Sequence, residues 1–137
     1  MKRIDVVIGI VQRQNKVLVC RRRERDHLGG YWEFPGGKLE PGETLEQCLL
    51  RELQEEVNLQ VDRLAPLKVI EHDYPDRQVR LHPFLCEYQS GELRPIGCQE
   101  AVWIEPARLR EVRFPEANNE LVEFLIKQLG GNESPSS

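Results

Sequence analysis

Three glutamates, Glu52, Glu55 and Glu56, stand at the i, i+3, i+4 spacing that makes side chains neighbours on a helix. Like charges so placed repel one another, and the repulsion grows if they are partly buried. On a wheel of about 100° per residue, Leu45, Leu49, Leu53 and Val57 define an apolar side and Gln47, Arg51 and Gln54 fall opposite. The three acids lie along the edge between, beside Leu45 and Cys48. Two readings are open: a solvated acidic stripe, or a site where a divalent cation turns repulsion into coordination. The position at the boundary of the apolar side favours the cation. Oxygen ligands suit Mg²⁺, with Mn²⁺ as a substitute, and no His/Cys cluster suggests a softer metal. Upstream, Gly36-Gly37 lets the backbone approach a ligand, so that a carbonyl there could complete the shell.

These residues need a helix, and residues 44–57 supply it. Thr44 with Gln47 forms a capping-box pattern, Leu, Glu, Gln and Arg fill the interior, and Asn58 can close the end in left-handed geometry. Before it, residues 4–12 and 17–22 are β-branched runs with Asn15-Lys16 between them as a hairpin turn, and residues 26–38 form a glycine-rich loop with a short ordered core. After it, strands are expected around 67–73 and 79–88, with Tyr74-Pro75-Asp76-Arg77 as the turn. A short strand at 101–104 follows, then a short helix from Pro106. A second long helix is expected over 115–129, with Leu121, Phe124, Leu125 and Leu129 as its apolar stripe. The order predicts an α/β (α+β) sandwich, a mixed sheet flanked by helices. One domain over residues 1–129 and a flexible tail over 130–137 are expected.

Bulk properties narrow the partners. The 137 residues are 39% hydrophobic and 31% charged, which suits an ordinary soluble globule. No apolar run approaches the ~20 residues of a membrane span. The basic-then-apolar start is interrupted by Asp5 and reads as a strand, so a cytoplasmic location is expected. A net charge of −4 argues against a surface that coats nucleic acid. The run Arg21, Arg22, Arg23, Arg25 is the local exception: a solvated face, or one or two arginines meeting an anion. Cys20, Cys48, Cys86 and Cys98 are scattered without a CxxC pair and read as small apolar residues.

Residues 36–59 resemble the Nudix box: a glycine, five residues, a glutamate, seven residues, then Arg-Glu-aliphatic-x-Glu-Glu-x-Gly-aliphatic. Gly37, Glu43, Arg51, Glu52, Leu53, Glu55, Glu56 and Leu59 stand in register, and the departure is Asn58 in place of glycine. The resemblance implies that Glu52, Glu55 and Glu56, with the Gly36 carbonyl, surround divalent ions. It also implies that Glu52 is the general base, that Arg51 orients it, and that Glu43 supports the cluster.

Outside the box the chain is similar to the MutT branch, through its first strand, residues 32–38, residues 74–77 and Phe114-Pro115-Glu116-Ala117-Asn118. That branch cleans 8-oxo-dGTP from the nucleotide pool, and the resemblance makes Asn118 the reader of the purine edge, where an amide donates and accepts at once. Helix capping is the other role open to Asn118. The resemblance also brings Phe34 and Tyr74 to the base pocket, Arg22 and Arg77 near the nucleotide, and Val6 and Ile8 to the pocket floor. The implied activity releases pyrophosphate from a nucleoside triphosphate, with no stable nucleic-acid partner, by a monomer or weak homodimer. Two alternatives remain: a CTP or modified-pyrimidine (5-methyl-dCTP) pyrophosphohydrolase, and a catalytically silent nucleotide sensor. Relatives carry a distal acid where this chain has Gly97, and Glu100 is the nearest substitute as a metal ligand.

Overall fold

A computed structural model describes residues 2–130. The β-branched first run becomes β1 (Lys2–Arg13), and β2 (Lys16–Arg21) folds back on it. The turn between them is Gln14-Asn15, one residue earlier than expected. Both residues take left-handed φ values, 50° and 65°, which match the twist of a two-residue hairpin. The glycine-rich stretch that follows holds two short strands, β3 (Trp32–Glu33) and β4 (Gly36–Lys38). Helix α1 (Leu45–Val57) starts on a complete Thr44/Gln47 capping box and ends on Asn58 at φ 61°, ψ 36°. The Asn58 amide donates to the Glu92 carbonyl at 2.9 Å, and its side-chain oxygen accepts from Gln54 at 3.0 Å. Asparagine therefore serves the left-handed exit and fastens it as well.

Strand β5 (Gln60–Pro66) was not expected. It carries a bulge between Asp62 and Ala65, with Arg63 at φ 54°, so the period-2 pattern that announces a strand is broken. β6 (Ile70–Asp73) and β7 (Arg77–Ser90) flank the turn at 74–76, and β8 (Glu100–Ile104) follows. A 3₁₀ helix spans Pro106–Glu111, and a second covers Glu116–Asn118. Helix α2 (Asn119–Leu129) therefore begins later than residue 115. The tail expected beyond residue 129 lies, from residue 131 on, outside the described residues.

β1 and β7 pair in parallel from Lys2 opposite Arg77 to Gln12 opposite Glu87, and the remaining pairings are antiparallel, so the sheet is mixed. The opposite free edge of β1 is shared by β4 near its start and β2 near its end. Alternation along β1 feeds two cores. Val7 and Val11 join Leu18, Phe84, Leu49, Leu53 and Val57 beneath α1. Ile8 and Ile10 join Val17, Val19, Leu109, Leu121, Val122 and Leu125 beneath α2. Phe124, expected in the apolar stripe of α2, is 44% exposed instead, and Val122 takes a buried place.

Candidate active site

The turn before α1 builds the first part of the site. The Glu43 amide donates to the Glu40 carbonyl at 3.1 Å, while the Glu40 amide donates to Glu43 Oε1 at 2.9 Å. Thus fixed, the Glu43 carboxylate receives Arg51 in a fork, Nε to Oε2 at 2.6 Å and Nη2 to Oε1 at 3.0 Å. The Arg51 guanidinium beside it holds Glu43 down to about 2. Arg51 Nη1 reaches on to Glu52 Oε2 at 3.0 Å and Glu55 Oε1 at 3.1 Å. The wheel put Arg51 on the wet side of the helix. The structure corrects this: its side chain is only a quarter exposed, folded over the acids.

Glu52 and Glu56 are less well compensated. Glu52 is pushed above the usual carboxylate range by burial, against the pull of Arg51. Glu56 rises to about 7, by burial first and then by the negative charges of Glu52 and Glu33. Glycines make room for both carboxylates. A Cβ on Gly37 would come within 2.3 Å of the Glu52 carboxylate, and one on Gly97 within 1.5 Å of Glu56 Oε2. Gly36 itself is packed against the Val7 carbonyl on β1. Beneath this edge the buried thiols of Cys20 and Cys98 meet, a pairing their spacing gave no hint of. Their mutual hydrogen bond raises Cys20 and lowers Cys98.

Among the described residues no group of three His, Cys, Asp or Glu side chains is arranged to hold a metal as they stand. The positive charge bridging Glu52 and Glu55 is Arg51 Nη1. The donor set nevertheless fits a hard divalent ion: carboxylate oxygens, a cation already drawn between two of them, and Glu56 raised by burial and by the negative charges of Glu52 and Glu33.

A cleft of about 180 Å³ opens beside this edge, on the α2 side of the sheet. Val6 and Ile8 of β1 line it together with Val79 and Leu81 of β7. Phe34 forms another wall and stacks on Phe114 behind it, with ring centres 5.1 Å apart. Tyr74 lines the cleft edge-on to His72. Asn118 also lines it; although Asn118 precedes α2, its side chain makes no capping hydrogen bond. Arg22 enters at the other end, donating from Nη1 to Glu33 at 2.8 Å and from Nε to the His27 carbonyl at 2.7 Å.

Two expectations part from this geometry. Arg77 is not a lining residue: it lies over the Tyr74 ring at 4.5 Å and pairs with Asp76. Glu100 is answered by Arg21 at 3.5 Å, and the residue set against Glu56 is Gly97. Conversely, sequence reasoning missed Glu33, which lines the cleft and whose negative charge reaches Glu56. Burial raises its carboxyl against the pull of Arg22. Its position directly before Phe34, at the start of the glycine turn, was the available signal. His27 and His72 also line the cleft.

The chain is similar to known proteins over most of its length. The NUDIX domain family model matches residues 6–124. The chain is 44% identical over 93 residues to an 8-oxo-dGTP diphosphatase of Proteus vulgaris, covering 67% of this chain and 83% of that protein. It is 36% identical over 126 residues to the 8-oxo-dGTP diphosphatase of Escherichia coli (strain K12), covering 91% and 98%. A CTP pyrophosphohydrolase of the same strain is 32% identical over 126 residues, covering 92% and 93%. A structure from a study of MutT from Aliivibrio salmonicida and Vibrio cholerae superposes with a TM-score of 0.74 at 34% identity, over 93% of this chain and 99% of that one. With its acidic helix edge, its glycine turn and its lateral cleft, the chain belongs to the Nudix domain family.

Proposed function

We propose that this chain is a Mg²⁺-dependent pyrophosphohydrolase that converts 8-oxo-dGTP to 8-oxo-dGMP and pyrophosphate. The observation that carries the reading is Asn118. Its amide lines the cleft free of any capping bond, so it can donate to and accept from a purine edge while Phe34 supplies an aromatic wall. Glu33 lines that cleft and its charge reaches Glu56, which supports a reading with the polyphosphate of a nucleotide beside Glu52 and Glu56.

Glu52, Glu55 and Glu56, with the Gly36 carbonyl, are the ligands proposed for the ion, which when bound neutralises phosphate charge and polarises the phosphorus under attack. Glu52 takes a proton from water as the oxygen–phosphorus bond forms and the bridging P–O bond breaks, releasing pyrophosphate. Burial makes its carboxylate a stronger base than an exposed one, and the Arg51 hydrogen bond fixes its orientation. Glu43 acts one step back, clamping Arg51.

The relative that hydrolyses CTP supports a second reading, in which the cleft takes a pyrimidine. A nucleotide panel separates the two. kcat/KM for 8-oxo-dGTP is expected to exceed that for dGTP, CTP and 5-methyl-dCTP; CTP ahead by about tenfold, a difference of ~1.4 kcal/mol in transition-state binding, would overturn the purine assignment. No turnover of any nucleotide with Mg²⁺ would support a silent sensor.

A further inference from the structure

Of the arginines beside the carboxylate edge, two are already engaged. Arg51 is spread over Glu43, Glu52 and Glu55. Arg22 is held by Glu33 and the His27 carbonyl. Arg23 differs. Among the described residues the one hydrogen-bond partner of its guanidinium is the Ile96 carbonyl, at 2.6 Å from Nη2. A guanidinium carries five donors, so most of its fork remains available.

That anchor sits at a telling place. The amides of Ile96 and Gly97 both donate to the Glu56 carbonyl at 3.0 Å, and Gly97 is the residue against which the Glu56 carboxylate rests. Arg23 is therefore latched to the loop that closes over Glu56, and it is not among the residues that line the nucleoside cleft. Its positive charge also pulls the Glu56 carboxyl down, against burial. Asn118, Phe34, Glu33 and Arg22 line the cleft, whereas Arg23 does not line it and is tied instead to the backbone that bonds Glu56. With the base against Asn118 and Phe34 and the phosphates at the carboxylates, the far end of the nucleotide is the part that can reach a guanidinium outside the cleft. The terminal phosphate bears the most negative charge and lies farthest from the base, and a planar guanidinium matches its oxygens two at a time.

We propose that Arg23 receives the terminal phosphate of the bound nucleoside triphosphate, the part that leaves as pyrophosphate, and so sets a preference for triphosphates over diphosphates. The inference rests on the pyrophosphohydrolase reading. Bound at its far end, a triphosphate gains one charge-assisted contact that a diphosphate is too short to make.

The test uses the full chain and compares 8-oxo-dGTP with 8-oxo-dGDP for the wild type, Arg23→Gln and Arg23→Lys. Arg23→Gln is expected to lower kcat/KM for the triphosphate by about 10- to 100-fold, mainly through KM, and to change the diphosphate less than about twofold. Arg23→Lys should recover part of the loss. Equal losses on both substrates, with a lower melting temperature, would mean that Arg23 only latches the Ile96 loop, and would overturn the proposal. No loss on either would do the same. Calorimetric binding of magnesium pyrophosphate gives a reading independent of turnover and of the base: Arg23→Gln should weaken it about tenfold or more, and unchanged affinity would count against the assignment. If the wild type prefers CTP, the same comparison with CTP and CDP still tests Arg23, while the purine reading alone fails.

Discussion

The carboxylate edge takes its acids from one helix and the turn before it, between Glu40 and Glu56. The cleft beside it is assembled from β1, the loop after β2, β3, β6, β7 and the 3₁₀ turn at 116–118. The edge is a nearly local object, with a spacing that the helical repeat dictates. The cleft exists only once strands far apart in the chain have paired. On the proposed function the first region holds the chemistry of bond breaking and the second the choice of substrate, so the two should be separable by mutation.

The sharpest test of that division is Glu52→Gln. It keeps the shape of the side chain but removes the proton acceptor, and should reduce kcat by about 10²- to 10⁴-fold on every nucleotide, with nucleotide affinity little changed. Loss confined to one substrate would break the division. Asn118→Ala should do the reverse: a shift of about 10- to 100-fold in the ratio of kcat/KM for 8-oxo-dGTP over CTP, from loss of a polar group that reads the base, with slower change in kcat itself. A uniform loss across nucleotides would place Asn118 with the edge.

The smallest effect is in pH dependence, and it splits the edge itself. Glu56 is raised from the usual 4.5 to about 7 by burial and by Glu52 and Glu33, so the folded chain holds a proton that the unfolded chain releases. Without metal, that contribution is fully present below about pH 4.5 and is lost as pH rises to 7. Glu43, lowered to about 2 by Arg51, runs the other way: its contribution is present above pH 4.5 and lost as pH falls towards 2. Thermal unfolding against pH should therefore show Mg²⁺ stabilising the protein more at pH 7.5 than at pH 5.5. Equal stabilisation at both would remove Glu56 from the metal site.

The same contrast explains what the chain revealed before its structure was known. Capping by Thr44, the left-handed exit at Asn58 and the edge of glutamates follow from backbone rules acting over a few residues, and all three appear in the fold. The long reach of Arg51 was not legible, because a wheel describes where a side chain starts and not where it bends to find a counter-charge. The roles of Glu33 and Gly97 beside Glu56 were harder to read for another reason. Their meaning depends on packing against Glu56 from β3 and from the loop before β8, and no local pattern encodes that meeting. β5 failed through its bulge and Phe124 through its exposure. Arg77 and Glu100 each found a nearer partner, Tyr74 with Asp76 and Arg21 respectively.

The parallel pairing of β1 with β7 has a bearing on how the chain reaches this state. During synthesis β1 finds its long parallel neighbour, opposite Arg77 to Glu87, only after every element from β2 to β6 has been made. Until then β2 can close one side of it by the hairpin, while the unpaired backbone of the other edge stays open to any strand nearby. Contacts of such long sequence separation slow folding. Crowded, rapid synthesis should therefore drive this protein into aggregates through its first dozen residues, and slower synthesis at lower temperature should raise the soluble yield.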